Sequence, residues 1–194
     1  GISGLGVTVG REQAALANER NAGLPVETRL MDYQQLEGRF DRVVSVGMFE
    51  HVGYKNYGAF FRKAHELLAP DGLMLLHTIG GDRTQSFGDP WVQKYIFPNG
   101  MLPSIRQIGS AIEGRFIMED WHNFGANYDT TLMAWHANFE AAWPGLAATY
   151  GERFRRMWDF YLLSFAGTFR ARILQLWQIV LAPGGVRGGY RSIR

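Results

Sequence analysis

One stretch constrains the fold of this chain more than any other: residues 43–53 read Val-Val-Ser-Val-Gly-Met-Phe-Glu-His-Val-Gly. Its apolar, β-branched start predicts a strand buried on both faces, as strands of parallel sheets are. The strand ends in a glycine, and Glu50 and His51 follow it. Because open α/β sheets bind ligands beyond the carboxyl ends of their strands, this pair lies where chemistry is expected. A structural alternative is that Glu50 caps a helix and His51 is a hydrogen-bonded loop residue.

Strands and helices alternate along the first 81 residues. Apolar runs predict strands over residues 1–9, 26–30, 41–46 and 73–79. Helices are predicted over 11–21 and 57–68, and a turn at Pro70-Asp71-Gly72. Short links between such elements predict a doubly wound parallel sheet.

The first strand has no strand–loop–helix unit before it, and residues 1–60 contain no G-x-G-x-x-G sequence. That unit usually carries the glycine-rich cofactor loop of such a sheet. We therefore expect residues 1–194 to form one partial domain whose front is truncated.

The second half of the chain has a different character. Residues 82–104 are rich in glycine, proline and aromatic residues, which suits a lid or substrate loop better than a linker. Helices are predicted over 103–111, 130–147 and 150–170, the last two separated by Trp143-Pro144-Gly145, and strands over 116–123 and 173–181.

Composition excludes several classes of function. Without cysteine, the chain has no disulfide, thiolate metal site or thiol nucleophile. Without a G-x-S-x-G elbow, a serine hydrolase is not expected. No stretch approaches the roughly 20 apolar residues of a membrane span. We also expect no signal peptide, which favours the cytoplasm.

The net charge of +2 hides an asymmetry. Residues 1–150 carry a net charge of −4, whereas residues 151–194, the Arg-rich end, carry +6 with arginine as the only basic residue. Arginine favours bidentate contact with phosphate, so this end predicts contact with an anionic membrane surface or a nucleic acid. Because the aromatic residues do not interleave with the arginines, we expect no nucleic acid. The alternative is a solvated helix face with structural ion pairs.

Polar side chains accompany three predicted strands, and they include Glu50, His51, His77, Asp120, His122, Asn123, Tyr128 and Asp129. A histidine in an apolar strand is costly unless it is hydrogen-bonded, and several aligned at one sheet edge indicate a site. His51, His77, His122 and Glu50 are candidate metal ligands, but they lack local ligand spacing, so we expect no metal.

Asp32 and Tyr33 follow the strand predicted over 26–30. A carboxylate at such a strand end can bind an adenine or a ribose, and the Tyr33 ring can pack on the base. The alternative is that Asp32 only caps the following turn.

Five long runs of sequence carry a resemblance to a known family. They are FDRVVSVGMFEHVG (40–53), LLHTIG (75–80), KYIFPNG (94–100), EDWHNFG (119–125) and YDTTLMAW (128–135), with FRAR (169–172) and QLWQ (175–178) completing the set. These runs resemble the cyclopropane-fatty-acyl-phospholipid synthases, which are S-adenosylmethionine-dependent methyltransferases. The resemblance covers nearly the whole chain. It implies an α/β fold of the class I methyltransferase (Rossmann-like) type, truncated at the N-terminus and with helical lid insertions.

The resemblance implies a chemistry as well. The alkene of an unsaturated acyl chain attacks the sulfonium methyl group, and the resulting cation loses a proton from that methyl and closes to a cyclopropane. The implied proton acceptor is a bicarbonate, held by Glu50, His77, Tyr128 and the backbone at Ile79. This assignment leaves His51 a structural role.

The resemblance also implies residues that bind S-adenosylmethionine. Thr8 and Gln13 match the ribose or methionine side, and Asp32, Tyr33 and Gln34 match the adenine side. The family's glycine-rich first loop and N-terminal lipid-binding region are not matched, and a family cysteine near the bicarbonate would lie there. Phe165 stands where the family commonly has another cysteine. We expect this chain alone to be inactive, with no S-adenosylmethionine binding measurable by calorimetry.

Two alternatives remain beside cyclopropane formation. One is a sister lipid C-methyltransferase that yields methyl-branched or oxygenated chains, and the other is a non-catalytic lipid-binding remnant. The expected partners are phospholipid acyl chains at the inner face of the cytoplasmic membrane. The Arg-rich end is then a contact for anionic head groups or a homodimer surface.

Overall fold

The computed structural model describes residues 1–192, and its contacts divide the chain into a unit of residues Gly1–Arg39 and a unit that begins at Phe40. In the first unit, β1 (Gly4–Thr8) and β2 (Val26–Leu30) are paired in parallel, and helix α1 (Arg11–Arg20) connects them. The side chain of Asn18 fastens α1 to β2, because it bonds both the N–H and the carbonyl of Thr28 at 2.8 Å. The prediction of one domain over residues 1–194 stays a prediction.

The second unit contains a four-stranded sheet in the order β3-β4-β6-β5. Its strands are β3 (Phe40–Val46), β4 (Leu68–Gly81), β5 (Ile117–Asn123) and β6 (Leu174–Ala182). β3 and β4 are parallel and are connected through α2 (Tyr57–Leu67), as the sequence predicted. β6 runs antiparallel to both β4 and β5, a direction that the apolar runs alone did not predict.

β4 begins at Leu68, five residues before the predicted start. Leu68 pairs with Phe40, and Leu73 pairs with Arg42, so the register shifts between these two pairs. The predicted Pro70-Asp71-Gly72 turn is therefore a bulge within a longer strand.

The core of the second unit draws on β4, β6 and the α2 region, and the helix Gly125–Arg170 packs a further cluster against Leu176 of β6. Fully buried residues of the two strands include Met74, Leu76, Trp177, Ile179 and Leu181, and those of the α2 region include Phe49 and Phe61. Gly80 of β4 permits a close approach, since a Cβ on it would lie 2.1 Å from the Trp177 ring. This packing fixes the carboxyl ends of β3 and β4.

Three helices follow β4: α3 (Pro90–Tyr95), α4 (Ile105–Ile112) and α5 (Gly125–Arg170). The predicted separation of two helices at Trp143-Pro144-Gly145 is wrong, because α5 continues through Pro144 and breaks at Gly151. A proline keeps a helical φ, whereas φ 71° and ψ 166° at Gly151 belong to a region that only glycine adopts readily. Among residues 1–192, no helix is long and apolar enough to cross a membrane.

Candidate active site

Glu50 lies at the carboxyl end of β3. The chain turns at Gly47, whose φ is +62°, and enters a single 3₁₀ turn at Phe49–His51. Phe49 is fully buried and anchors the turn, so Glu50 is buried too, with 9% of its surface exposed. Its Oε1 accepts the Ile79 N–H of β4 at 2.8 Å. Its Oε2 has no hydrogen-bond partner among the residues that the structure describes.

His77 lies two residues before Ile79 in β4 and is half-buried. The Gln178 amide nitrogen of β6 lies 3.2 Å from His77 Nδ1. An amide nitrogen only donates, so Nδ1 accepts and the proton of the neutral ring is on Nε2. Burial lowers the pKa of His77, while the Glu50 carboxylate acts in the opposite direction. The neutral imidazole is therefore the favoured form near pH 7, with Nε2–H as a donor.

Tyr128 lies in the first turn of α5, and its ring contacts the rings of Phe169 and Trp135 at 4.9 and 5.8 Å between centroids. Burial raises the pKa of Tyr128, and the negative charge of Glu50 raises it further. The hydroxyl consequently stays protonated and available as a donor. Glu50, His77 and Tyr128, which come from three separate segments, thus share one electrostatic environment.

A cavity of about 1010 Å³ opens beside Glu50 within the second unit. Glu50, Ile79 and Tyr128 line it, but His77 does not. Nearly half of the lining comes from residues 82–104, which supports the prediction of a substrate loop. Most of the other wall is apolar and includes Met157, Phe160, Phe165, Ile173 and Leu174.

Two lining residues bear on the earlier interpretations. Phe165, for which the resemblance implied a cysteine in the family, packs in the wall against Tyr161, with ring centroids 4.9 Å apart. His51 also lines the cavity, where its exposed ring meets the edge of Phe97 at 6.2 Å.

The Arg-rich end is not one surface. Arg170 forms a bidentate ion pair with Asp129, and Arg155 contacts Glu140 and Asp159. Arg153 and Arg156 instead line the cavity. Arg83, which lies outside residues 151–194, lines it as well. We call Arg83, Arg153 and Arg156 the arginine end of the cavity, as distinct from the Arg-rich end of the sequence. Arg194 lies outside the described residues. Sequence reasoning missed Arg83, because no local pattern distinguishes it from a solvated arginine.

Tyr57 was also missed by the sequence analysis. Its ring stacks on Phe49 at 4.1 Å, and its hydroxyl has no partner among the described residues. Burial, followed by the charge of Glu50, raises its pKa. The apolar pattern of the predicted helix over 57–68 indicated a buried face but not a polar atom near Glu50.

Three side chains outside the cavity have a metal-ligand arrangement. Among residues 1–192, His136, Glu140 and Asp159 bring one ligand atom each within 4.8 Å of the others. Arg155 already contacts both carboxylates, which makes this cluster an ion-pair network. It is not the set of His51, His77, His122 and Glu50 considered from the sequence.

The five residues predicted to bind S-adenosylmethionine lie in the first unit, at the carboxyl edge of its two strands. Thr8 Oγ1 donates to Gln13 Oε1 at 2.7 Å and accepts the Gly10 N–H at 3.1 Å. Asp32 caps the 3₁₀ turn Tyr33–Gln35 by accepting the Gln34 N–H at 2.8 Å, which is the structural alternative considered above. Burial raises the pKa of Tyr33, with the Asp32 charge as a second cause.

The solved structures most useful for comparison are cyclopropane synthases. The cyclopropane synthase MmaA2 from Mycobacterium tuberculosis superimposes with a TM-score of 0.83 at 26% identity, covering 92% of this chain and 69% of that one. Mycolic acid cyclopropane synthase CmaA1, complexed with SAH and CTAB, gives a TM-score of 0.81 at 30% identity, covering 91% and 68%. The chain therefore has the class I fold of S-adenosylmethionine-dependent methyltransferases.

Sequence comparison identifies the family. The family model for mycolic acid cyclopropane synthetase matches residues 1–179, so the chain belongs to that family. It is 56% identical to the cyclopropane-fatty-acyl-phospholipid synthase of Escherichia coli K12 over 193 residues, which are all of this chain and 50% of that protein. It is 34% identical to the tuberculostearic acid methyltransferase UfaA1 of Mycobacterium tuberculosis, covering 92% of this chain and 44% of that one. The chain spans about half the length of these curated relatives.

Proposed function

We propose that the protein carrying this chain transfers a methylene group from S-adenosylmethionine to the double bond of an unsaturated phospholipid acyl chain, forming a cyclopropane. The observation that supports this most is the Glu50 carboxylate, buried with one oxygen unpartnered beside a large, mostly apolar cavity. A buried unpartnered carboxylate oxygen is costly, so it indicates a group that is to be bound there.

The cavity suits a reaction that passes through a carbocation. Water would capture such a cation, so the reacting carbon needs apolar surroundings, which the less exposed Met157, Phe165 and Leu174 of the wall can provide. Aromatic faces stabilise a cation through their electron-rich rings, and Trp91, Phe160, Phe165 and Tyr128 supply such faces in the lining. A long acyl chain also matches the cavity in size and polarity.

The polar groups around Glu50 fit a bicarbonate. When bound, bicarbonate supplies the base that accepts the proton from the transferred methyl. Glu50 Oε2 can accept its hydroxyl, and the Tyr128 hydroxyl can donate to its oxygens. His77 does not line the cavity, and we propose its Nε2–H as a further donor because the family resemblance includes it. The Ile79 N–H already donates to Glu50 Oε1, so in this arrangement Ile79 holds Glu50 in orientation.

S-Adenosylmethionine supplies the electrophilic methyl group, and the solved CmaA1 complex with SAH supports it as the cofactor. We propose that Thr8 at the end of β1, Gln13 in the first turn of α1, and Asp32, Tyr33 and Gln34 after β2 contact it. Asp32 can act on a ribose while it caps its turn, because a carboxylate accepts several hydrogen bonds. We place the protein at the inner face of the cytoplasmic membrane, where its lipid substrate lies.

The product distinguishes this reaction from its alternatives. The protein is expressed in bacteria that make unsaturated but no cyclopropane acyl chains, and the extracted lipids are analysed by mass spectrometry and proton NMR. We expect unsaturated chains to gain one carbon and to show the upfield ring protons of a cyclopropane. Methyl-branched or oxygenated chains would identify a sister methyltransferase instead. Unchanged lipids beside a folded protein would favour a non-catalytic lipid-binding role.

A further inference from the structure

The charged residues that line the cavity form two groups, which we call the Glu50 end and the arginine end. Glu50 is buried, whereas Arg83, Arg153 and Arg156 are exposed side chains of the lining. Within residues 1–192, none of these three arginines takes part in an ion pair. Arg153 acts on the Tyr95 hydroxyl, a neutral group that leaves the positive charge of Arg153 uncompensated.

The arrangement of α5 separates these arginines from the structural ones. Arg153 and Arg156 are three residues apart, so they lie on one face of the helix and both reach the cavity. Arg155 lies between them on another face, where it contacts Glu140 and Asp159 and stacks over the Trp143 ring at 5.5 Å. One turn of helix therefore carries two arginines toward the cavity and one into a structural network.

Two carboxylates also line this part of the cavity. Asp89 is engaged as the cap of α3, accepting the N–H groups of Trp91 and Val92 at 2.9 Å. Asp82 lines the cavity beside Arg83. Three guanidinium groups thus face two carboxylates, one of which already serves the backbone, and a net positive charge remains for an anion.

The distance along α5 indicates what kind of molecule could use both ends. Arg156 precedes Phe169, whose ring contacts Tyr128, by thirteen residues, or about 20 Å along the helix axis at 1.5 Å per residue. Arg83 follows Ile79, which bonds Glu50, by only four residues. Guanidinium groups and a long apolar wall therefore line the same cavity. An amphiphile with an anionic head and a long apolar tail spans it, with the tail in the apolar part of the cavity.

We propose that Arg83, Arg153 and Arg156 form a subsite for a phosphate diester, which holds the lipid head while the chain extends toward Glu50. This inference rests on the proposed function for the identity of the lipid. Guanidinium groups suit the site because they bind phosphate oxygens in a bidentate manner. The phosphate belongs to the lipid itself, and free phosphate is the alternative source that the experiment separates.

The test measures binding without chemistry. A saturated short-chain phosphatidylcholine, below its micelle concentration, is titrated into the protein by calorimetry, and the matched diacylglycerol without the phosphate is titrated in parallel. The double variant Arg153→Gln/Arg156→Gln should weaken phospholipid binding about tenfold or more. It should leave diacylglycerol binding unchanged. Arg155→Gln, one residue away on the same helix, is the matched control and should change neither.

Three results would overturn the subsite. The first is that the double variant weakens diacylglycerol binding as much as phospholipid binding. The second is that Arg155→Gln weakens phospholipid binding as much as the double variant does. The third is that equimolar inorganic phosphate or glycerol phosphate displaces the lipid head. If the arginine dependence appeared only on anionic vesicles and not with the zwitterionic lipid monomer, general attraction to a membrane surface would replace the proposal. If the dependence holds but the acyl product is methyl-branched, the proposed function fails while the subsite stands.

Discussion

The two ends of the cavity hold their charges in opposite ways. At the Glu50 end, a carboxylate is buried and one of its oxygens is fixed by a backbone N–H at 2.8 Å. At the arginine end, Arg83, Arg153 and Arg156 are exposed to solvent. A buried charge acts through low dielectric and fixed geometry, whereas exposed charges act over a distance and are screened by salt. The difference suggests that the buried end serves chemistry and the exposed end serves recognition.

The largest expected effect comes from Glu50→Gln. The glutamine carbonyl can still accept the Ile79 N–H, but the free carboxylate oxygen is replaced by an amide donor. We expect the rate of cyclopropane formation to fall about 10²- to 10⁴-fold, as for loss of a group that works with the catalytic base. Phospholipid binding at the arginine end should not change.

Glu140→Gln is the control for this variant, because Glu140 is an exposed partner of Arg155 outside the cavity. It should leave the rate unchanged. If Glu50→Gln retained activity, the buried end would not be the reacting end, and the comparison between the two ends would fail.

Gly80→Ala should damage the wall that carries Ile79. The new Cβ would lie 2.1 Å from the ring of Trp177, which is fully buried and cannot move aside cheaply. We expect the free energy of unfolding in urea to fall by about 1–3 kcal/mol, as is typical of overpacking a core. Gly81→Ala is the matched control, since no atom lies within 4 Å of its added Cβ. Equal stability of the two variants would show that this wall adapts more than the packing indicates.

The third prediction uses the different pH responses of the two ends. Burial lowers the pKa of His77, so the neutral ring is favoured in the folded protein. Its contribution to stability is present above the ordinary value of 6.5 and is lost as the pH falls through the lowered pKa. When the ring is protonated, His77 Nδ1 can no longer accept the hydrogen bond from the Gln178 amide.

We therefore expect the reaction rate to fall about tenfold per pH unit below the pKa of His77. Lipid binding should stay constant over that range, because arginine remains charged. The pH profile of the rate checks this, with His122→Gln as the control on the neighbouring strand β5. If the rate stayed flat down to the pH at which the protein unfolds, His77 would not belong to the groups that take part in the reaction.

The sequence predicted much of the fold because its signals are local. The bounds of β1, β2, β3 and α1 match the predictions within three residues, since apolar runs and glycine stops act over a few positions. The break in α5 was misplaced because Pro144 is the stronger local signal. The φ and ψ angles of Gly151 depend instead on how two helical halves pack.

The candidate site, like the fold, was predicted only where the signal in the sequence is local. Glu50 was found because it follows an apolar run that predicts a strand. The expectation that this strand is buried on both faces is wrong, because β3 is an edge strand with Val44 63% and Val46 62% exposed. The bond from Glu50 to Ile79, 29 residues later, could not be read from any local pattern.

The arginines show this limit most clearly, since Arg155 and Arg156 are neighbours in sequence and serve different purposes in the structure. Partners at long sequence separation decide which arginine is structural and which remains available for a ligand.

The smallest expected effect comes from Tyr57→Phe, which sharpens the definition of the Glu50 end. The Tyr57 hydroxyl is buried near the charge of Glu50 yet has no partner among the described residues. An unpartnered buried hydroxyl costs about 1–3 kcal/mol, so its removal should leave the free energy of unfolding unchanged or raise it by up to about 1 kcal/mol. The reaction rate should not change. Tyr128→Phe is the comparison, because it removes a hydroxyl that we propose as a donor to the bicarbonate and should lower the rate. Chemical denaturation and rate measurements on both variants check this, and a rate loss in Tyr57→Phe equal to that in Tyr128→Phe would add Tyr57 to the groups that hold the anion.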